Sequence, residues 1–66
     1  MPRMVKVFEV CYDLPTDGRM GDGIEIFRTR NAKEAASFAI GRTCYGSPAT
    51  VEMAHVPSHV VSRWGL

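Results

Sequence analysis

A chain of 66 residues, 45% hydrophobic and 23% charged, has the make-up of one small folded domain and excludes a disordered tail or a multidomain enzyme. Eight basic against seven acidic side chains leave a net charge of +1, too balanced to mark a non-specific nucleic-acid or membrane binder. So short a chain buries only roughly 60% of the surface its unfolded form exposes, and a deep catalytic cleft would consume much of that core. Surface binding is therefore expected in place of catalysis, with no enzyme activity, no cofactor and no resident metal.

The opening residues, Met1-Pro2-Arg3-Met4-Val5-Lys6, contain no apolar run of the length a secretory leader requires, and no later window reaches the length of a membrane span. From Arg3 to Leu14 the residues alternate. Met4, Lys6, Phe8, Val10, Tyr12 and Leu14 fall on one side, and Arg3, Val5, Val7, Glu9, Cys11 and Asp13 on the other. Period two predicts a strand with the even set on the core. The odd face, where Val5 and Val7 stand among charges, is expected to meet water, a partner or a second copy.

Pro15 to Gly23 holds three glycines, a proline and two aspartates, and reads as a long hairpin loop carrying Asp17, Arg19 and Asp22. Ile24 to Arg30 resumes as a strand antiparallel to the first. Asn31 then supplies a helix N-cap, with Glu34 three residues on as a capping-box partner. Alanines at 32, 35, 36 and 39, continued by Ile40 and Thr43, form a stripe expected to lie against the sheet. Gly46-Ser47-Pro48 ends the helix at or before that point. Ala49 to Val56 is a strand, Pro57-Ser58-His59 a turn, and Val60 to Trp64 a short last strand. The order β-β-α-β-β predicts an α+β domain, an antiparallel sheet of about four strands with one helix packed on one face.

Several residue sets have the composition of a site without its spacing. His55 and His59 are placed like a zinc-binding pair, but Cys11 and Cys44 lie far apart instead of in one knuckle, and Pro57 interrupts any helix presenting both histidines. Both cysteines are read as free thiols in a reducing cytoplasm. Cys44-Tyr45-Gly46-Ser47 with a histidine supplies the types for nucleophilic catalysis but no nucleophile motif. Asp13, Asp17 and Asp22 lack the alternating spacing and closing glutamate of a calcium loop, so they read as turn chemistry.

The basic side chains are mostly guanidinium: Arg3, Arg19, Arg28, Arg30, Arg42 and Arg63 against Lys6 and Lys33. Arg28 and Arg30, two apart on a strand, and Lys33 in the first helical turn could grip phosphates or acidic side chains near a helix N-terminus. The bland alternative is a solvated strand end balanced by Glu25 and Glu34. Phe38 with Arg42 one turn later has the form of an interaction hot spot, or else covers the core beneath the long loop. Trp64 covers a sheet edge or meets a partner. The expected contact set is therefore Asp17, Arg19, Asp22, Arg28, Arg30, Lys33, Phe38 and Arg42.

The run from Glu25 to Ala36 resembles the last strand and helix start of double-stranded-RNA-binding domains. That resemblance implies a small nucleic-acid-binding regulator in which a lysine-bearing helix N-terminus meets phosphates across a groove. The chain departs from that family in lacking its preceding helix and lysine cluster. In length and element order the whole chain resembles small anti-CRISPR proteins of phages and mobile elements. This second resemblance implies a non-enzymatic inhibitor that docks on a CRISPR effector ribonucleoprotein and blocks target DNA binding. That family shares no sequence motif, so no residue role carries over. The partner expected is a large host protein or ribonucleoprotein, with direct nucleic-acid binding as the alternative, no membrane, and a monomer or homodimer.

Overall fold

A computed structural model describes residues 3–14 and 23–66. Among these the elements are, in chain order, β1 (Met4–Asp13), β2 (Ile24–Thr29), α1 (Ala32–Ala39), β3 (Thr43–Cys44), β4 (Ser47–Pro48), β5 (Val51–Pro57) and α2 (Ser58–Arg63). The domain is α+β, as its alternating and helical segments predict. Its sheet differs in detail: three antiparallel strands in the order β2-β1-β5, with β3 and β4 forming a separate two-stranded ribbon.

β1, ten residues long, is the central strand and pairs on both edges. It meets β2 from Phe8↔Thr29 to Asp13↔Ile24 and β5 from Met4↔Pro57 to Val10↔Val51. Just past the β1–β2 ladder, the Leu14 N–H donates to the Gly23 carbonyl at 2.6 Å. The expected loop, with Asp17, Arg19 and Asp22, lies outside the described residues.

Register separates the two faces of the sheet. Val10 pairs with Phe27, and the Phe27 ring stacks on Phe38 of α1 at 4.0 Å, so α1 meets the even side of β1. Glu9 pairs with Arg28, whose guanidinium lies 4.3 Å over the Trp64 ring beyond α2, so the C-terminal end of α2 meets the odd side. Val7 and Val10 are both fully buried, and Ala35 and Val61 are the buried residues of the two helices. The odd face is thus not simply open, and Val7 cannot pair two copies. The residues that close this part of the face come from α2, far along the chain, while Ile26 on the same face stays exposed.

The expected last strand, Val60 to Trp64, is helical instead. Pro57 ends β5 and occupies the N-cap position of α2 with φ −57° and ψ 140°, so Pro57-Ser58-His59 leads directly into the helix and is no free turn. At the other end Gly65, with φ +77°, donates to the Ser62 carbonyl, and Leu66 donates to the Val61 carbonyl. This paired reversal is the Schellman stop, which needs a left-handed residue that glycine supplies without steric cost. Val60 and Ser62 carry the alternation of a strand, but Val61 and Gly65 carry the helix.

Helix α1 begins where expected. The Asn31 side-chain oxygen accepts from the N–H groups of Lys33 at 2.9 Å and Glu34 at 3.2 Å. The return bond of a capping box is absent in its expected form: the Asn31 N–H donates to the buried Thr29 hydroxyl at 3.1 Å, not to Glu34. The helix stops after eight residues, and of the expected stripe only Ala35 is buried and Ala39 half-buried; Ala32, Ala36 and Thr43 are exposed, and Ile40, extended at ψ 126°, is 77% exposed. Replacing Asn31 with alanine is expected to cost about 1 kcal/mol, read as a lower urea midpoint at unchanged slope.

Candidate functional site

The odd face of the sheet is only partly roofed. Arg28 Nε donates to Glu9 Oε2 at 2.9 Å across the β1–β2 ladder while the flat side of its guanidinium rests on Trp64. An ion pair of this exposure is worth about 0–1 kcal/mol, so its main effect is to fix where the arginine points. One pair further along, Cys11 stands opposite Ile26, which is 46% exposed. On the other edge Glu9 faces Glu52, two like charges directly opposite.

Cys11 and Cys44 are bonded to each other, with Cα atoms 5.8 Å apart. They are not the free thiols expected. Linear distance, 33 residues, hid the pairing; the course of the chain from α1 back to β1 brings them within the ordinary span of a bridge. The bridge fastens the β3–β4 ribbon to the central strand. The ribbon turns through Tyr45 and Gly46, both at positive φ, 53° and 79°. Two such residues are what a tight two-residue hairpin needs.

Asp13 is the second fastening. Its carboxylate accepts from Tyr45 N–H at 2.9 Å, Gly46 N–H at 3.2 Å and the Thr43 hydroxyl at 2.9 Å. These donors, the Tyr45 amide first, then the Gly46 amide and the Thr43 hydroxyl, hold its carboxyl below the ordinary 3.8, against a smaller opposing effect of desolvation. A carboxyl depressed in the fold stabilises it above its unfolded value. That contribution is lost as pH falls through 3.8 and the lower folded value. Asp13→Asn is accordingly expected to flatten the fall in thermal midpoint below pH 4, while the wild type keeps it.

Beside these groups the face carries two open depressions. One, of about 170 Å³, is lined by Glu9, Cys11, Ile26, Cys44, Thr50 and Glu52. The other, of about 230 Å³, is lined by Ile26, Arg28, Trp64 and Leu66. Ile26 lines both, so the two depressions adjoin at its side chain, and the pair of them is the groove. It offers aliphatic, aromatic, guanidinium and carboxylate surface together. Neither His55 nor His59 lines it, and its sulfurs are bonded to each other. Among the described residues no cluster of three or more His, Cys, Asp or Glu is arranged to hold a metal ion.

Among the described residues of the expected contact set, Arg28, Arg30, Lys33, Phe38 and Arg42 do not converge. Arg28 belongs to the groove, and its partner is Glu9, not Glu25. Arg30 and Lys33 are exposed at the corner where β2 leads into α1. Phe38 and Arg42 belong to the opposite face. The Phe38 ring stacks on Phe27 and meets Tyr12 edge-on at 5.0 Å, while Arg42 lies 3.9 Å over Phe38 and donates from Nη1 to the Phe38 carbonyl at 2.9 Å. Nearby, the Tyr12 hydroxyl donates to Glu25 Oε2 at 3.2 Å; desolvation first, and Glu25 second, raise its pKa. Sequence reasoning missed Ile26, Glu9, Leu66 and the bridge. Gly65 after Trp64 was the legible sign that the chain end turns back on the sheet.

No helix among the described residues is long and apolar enough to cross a membrane. Set against known protein families, curated proteins and solved structures, the chain matches none.

Proposed function

We propose that the chain is a non-enzymatic binding module that docks on another protein through the groove side of its sheet. The observation that carries this reading is Ile26, exposed on a strand between the disulfide and the Arg28–Trp64 pair. Trp64 and Leu66 beside it are 38% and 37% exposed. Tryptophan and arginine are over-represented among residues that dominate binding energy. A short loop stapled to a three-stranded sheet holds such a surface rigid, which lowers the entropy lost on binding.

In its most specific form the module is an anti-CRISPR-like inhibitor that occupies a CRISPR effector ribonucleoprotein in a bacterial cytoplasm and blocks target DNA binding, as monomer or homodimer. Size and α+β make-up support that form. The disulfide weighs on the location, because cytoplasmic thiols are normally kept reduced. The nucleic-acid alternative draws on Arg30 and Lys33, both exposed, but Arg28 and Arg42 are already engaged with Glu9, Trp64 and Phe38.

Two measurements decide between these. Purified chain added to a reconstituted effector complex is expected to prevent target-DNA retardation, and Ile26→Asp with Trp64→Ala to abolish that effect. An effector that binds DNA equally well in its presence removes the inhibitor form. Retardation of DNA or RNA by the chain itself, weakening steeply with added salt, would favour the nucleic-acid alternative.

A further inference from the structure

The β3–β4 ribbon is attached to the rest of the domain in an unusual way. Each of its strands is two residues long, and from Thr43 to Pro48 every residue except Cys44 is exposed, Tyr45 to 79%. Burial of apolar surface therefore does little to hold it. Its base is closed by the Ala49 N–H donating to the Arg42 carbonyl at 3.0 Å, a bond within its own stem. What ties it to β1 is the Cys11–Cys44 bond and the single carboxylate of Asp13. Local opening is easiest where backbone hydrogen bonds are exposed and apolar contacts are few.

The bridge is also within reach of a reagent. Both sulfur-bearing residues line the open depression beside Ile26, Thr50 and Glu52, and neither is fully buried. The buried set, Val7, Val10, Ala35, Val61 and Thr29, includes neither cysteine. Cleaving the bridge thus removes an anchor of the ribbon without opening a cavity in the core.

We infer that Cys11–Cys44 is a reducible clasp whose state fixes or frees the β3–β4 ribbon and, with it, one wall of the groove. A dithiol reductant completes the chemistry. One of its thiolates attacks a bridge sulfur, the S–S bond breaks and the other cysteine leaves as a thiolate. The second reductant thiolate then attacks the reductant's own sulfur in the mixed disulfide and releases the remaining cysteine as a thiolate, and both cysteine thiolates take up protons from water. Two electrons pass to the protein, which ends with two thiols, and the reductant leaves as a cyclic disulfide. Regulation of binding by this clasp rests on the proposed use of the groove, whereas the freeing of the ribbon does not.

The test is residue-by-residue amide exchange by NMR on the full chain, oxidised and in excess dithiothreitol, with a thiol count confirming two free cysteines after reduction. The Tyr45 and Gly46 amides are expected to exchange at close to the unprotected rate when reduced, while the β1–β5 ladder, its protection lowered only by the lost global stability, stays clearly more protected than the ribbon. Cys11→Ser with Cys44→Ser should reproduce the reduced pattern and ignore dithiothreitol. Unchanged exchange at Tyr45 and Gly46 would overturn the clasp. So would equal protection of the ribbon and the β1–β5 ladder in the reduced form, since the ribbon would then open only when the whole fold does. This readout needs no partner, so its failure leaves the binding proposal intact, and failure of that proposal leaves the clasp standing.

Discussion

Truncating Phe38 to alanine is expected to destabilise the domain by about 2–3 kcal/mol, measured as a shift in urea midpoint at constant slope. A fully buried phenylalanine costs about 3–5 kcal/mol to truncate, and Phe38 is half-buried, which sets the lower figure. Three contacts make it more than a surface aromatic. Its ring is parallel to Phe27 within 10°, edge-on to Tyr12, and covered by the Arg42 guanidinium. Aromatic pairs add about 0.5–1.5 kcal/mol beyond area burial, and an exposed cation over a ring about 0.5–1.

Phe38→Leu separates these contributions, since it keeps apolar bulk and deletes the ring. It should recover roughly half of the loss. A Phe38→Ala variant within about 0.5 kcal/mol of wild type would instead mean that the residue faces outward and serves only a partner. The two outcomes bear directly on how the contact set divides between the faces.

The elements legible in the sequence were those whose own residues carry the signal. β1 announces itself by alternation over ten residues, and α1 by Asn31 followed by helix-forming alanines. The capping oxygen of Asn31 does what its position implies. What was illegible depended on residues distant in sequence. Whether Val7 is covered is decided by α2, some fifty positions on; whether Cys11 is a thiol is decided by Cys44; whether Arg28 is free to bind is decided by Glu9 and Trp64. Short elements were misread for a different reason. Six residues such as Ser58–Arg63 satisfy both a period of two and one of 3.6, so only the flanking Pro57 and Gly65 distinguish them. The candidate groove is built almost wholly from such long-range pairings, which explains why arginines counted singly pointed elsewhere.

Replacing both bridge cysteines with serine is expected to produce the larger stability loss, about 3–4 kcal/mol at 25 °C from loop closure over the 33-residue separation. A domain of this size has on the order of 3–10 kcal/mol in total, so the loss takes a large share of it and the thermal midpoint should fall steeply. The loss acts mainly on the unfolded chain, which regains the freedom that the bridge removed, and native packing around Val7 and Val10 is untouched. Asp13 makes the prediction sharper, because it fastens the same ribbon. With the bridge present, its three hydrogen bonds act on a segment already held in place. Without the bridge they must also order that segment, so they form less often and contribute less. Asp13→Asn combined with the double serine variant should therefore cost less than the sum of the two changes, a non-additivity that independent sites would not show. Strict additivity would mean that the ribbon stays ordered on Asp13 alone, and that the bridge stabilises the fold without positioning anything.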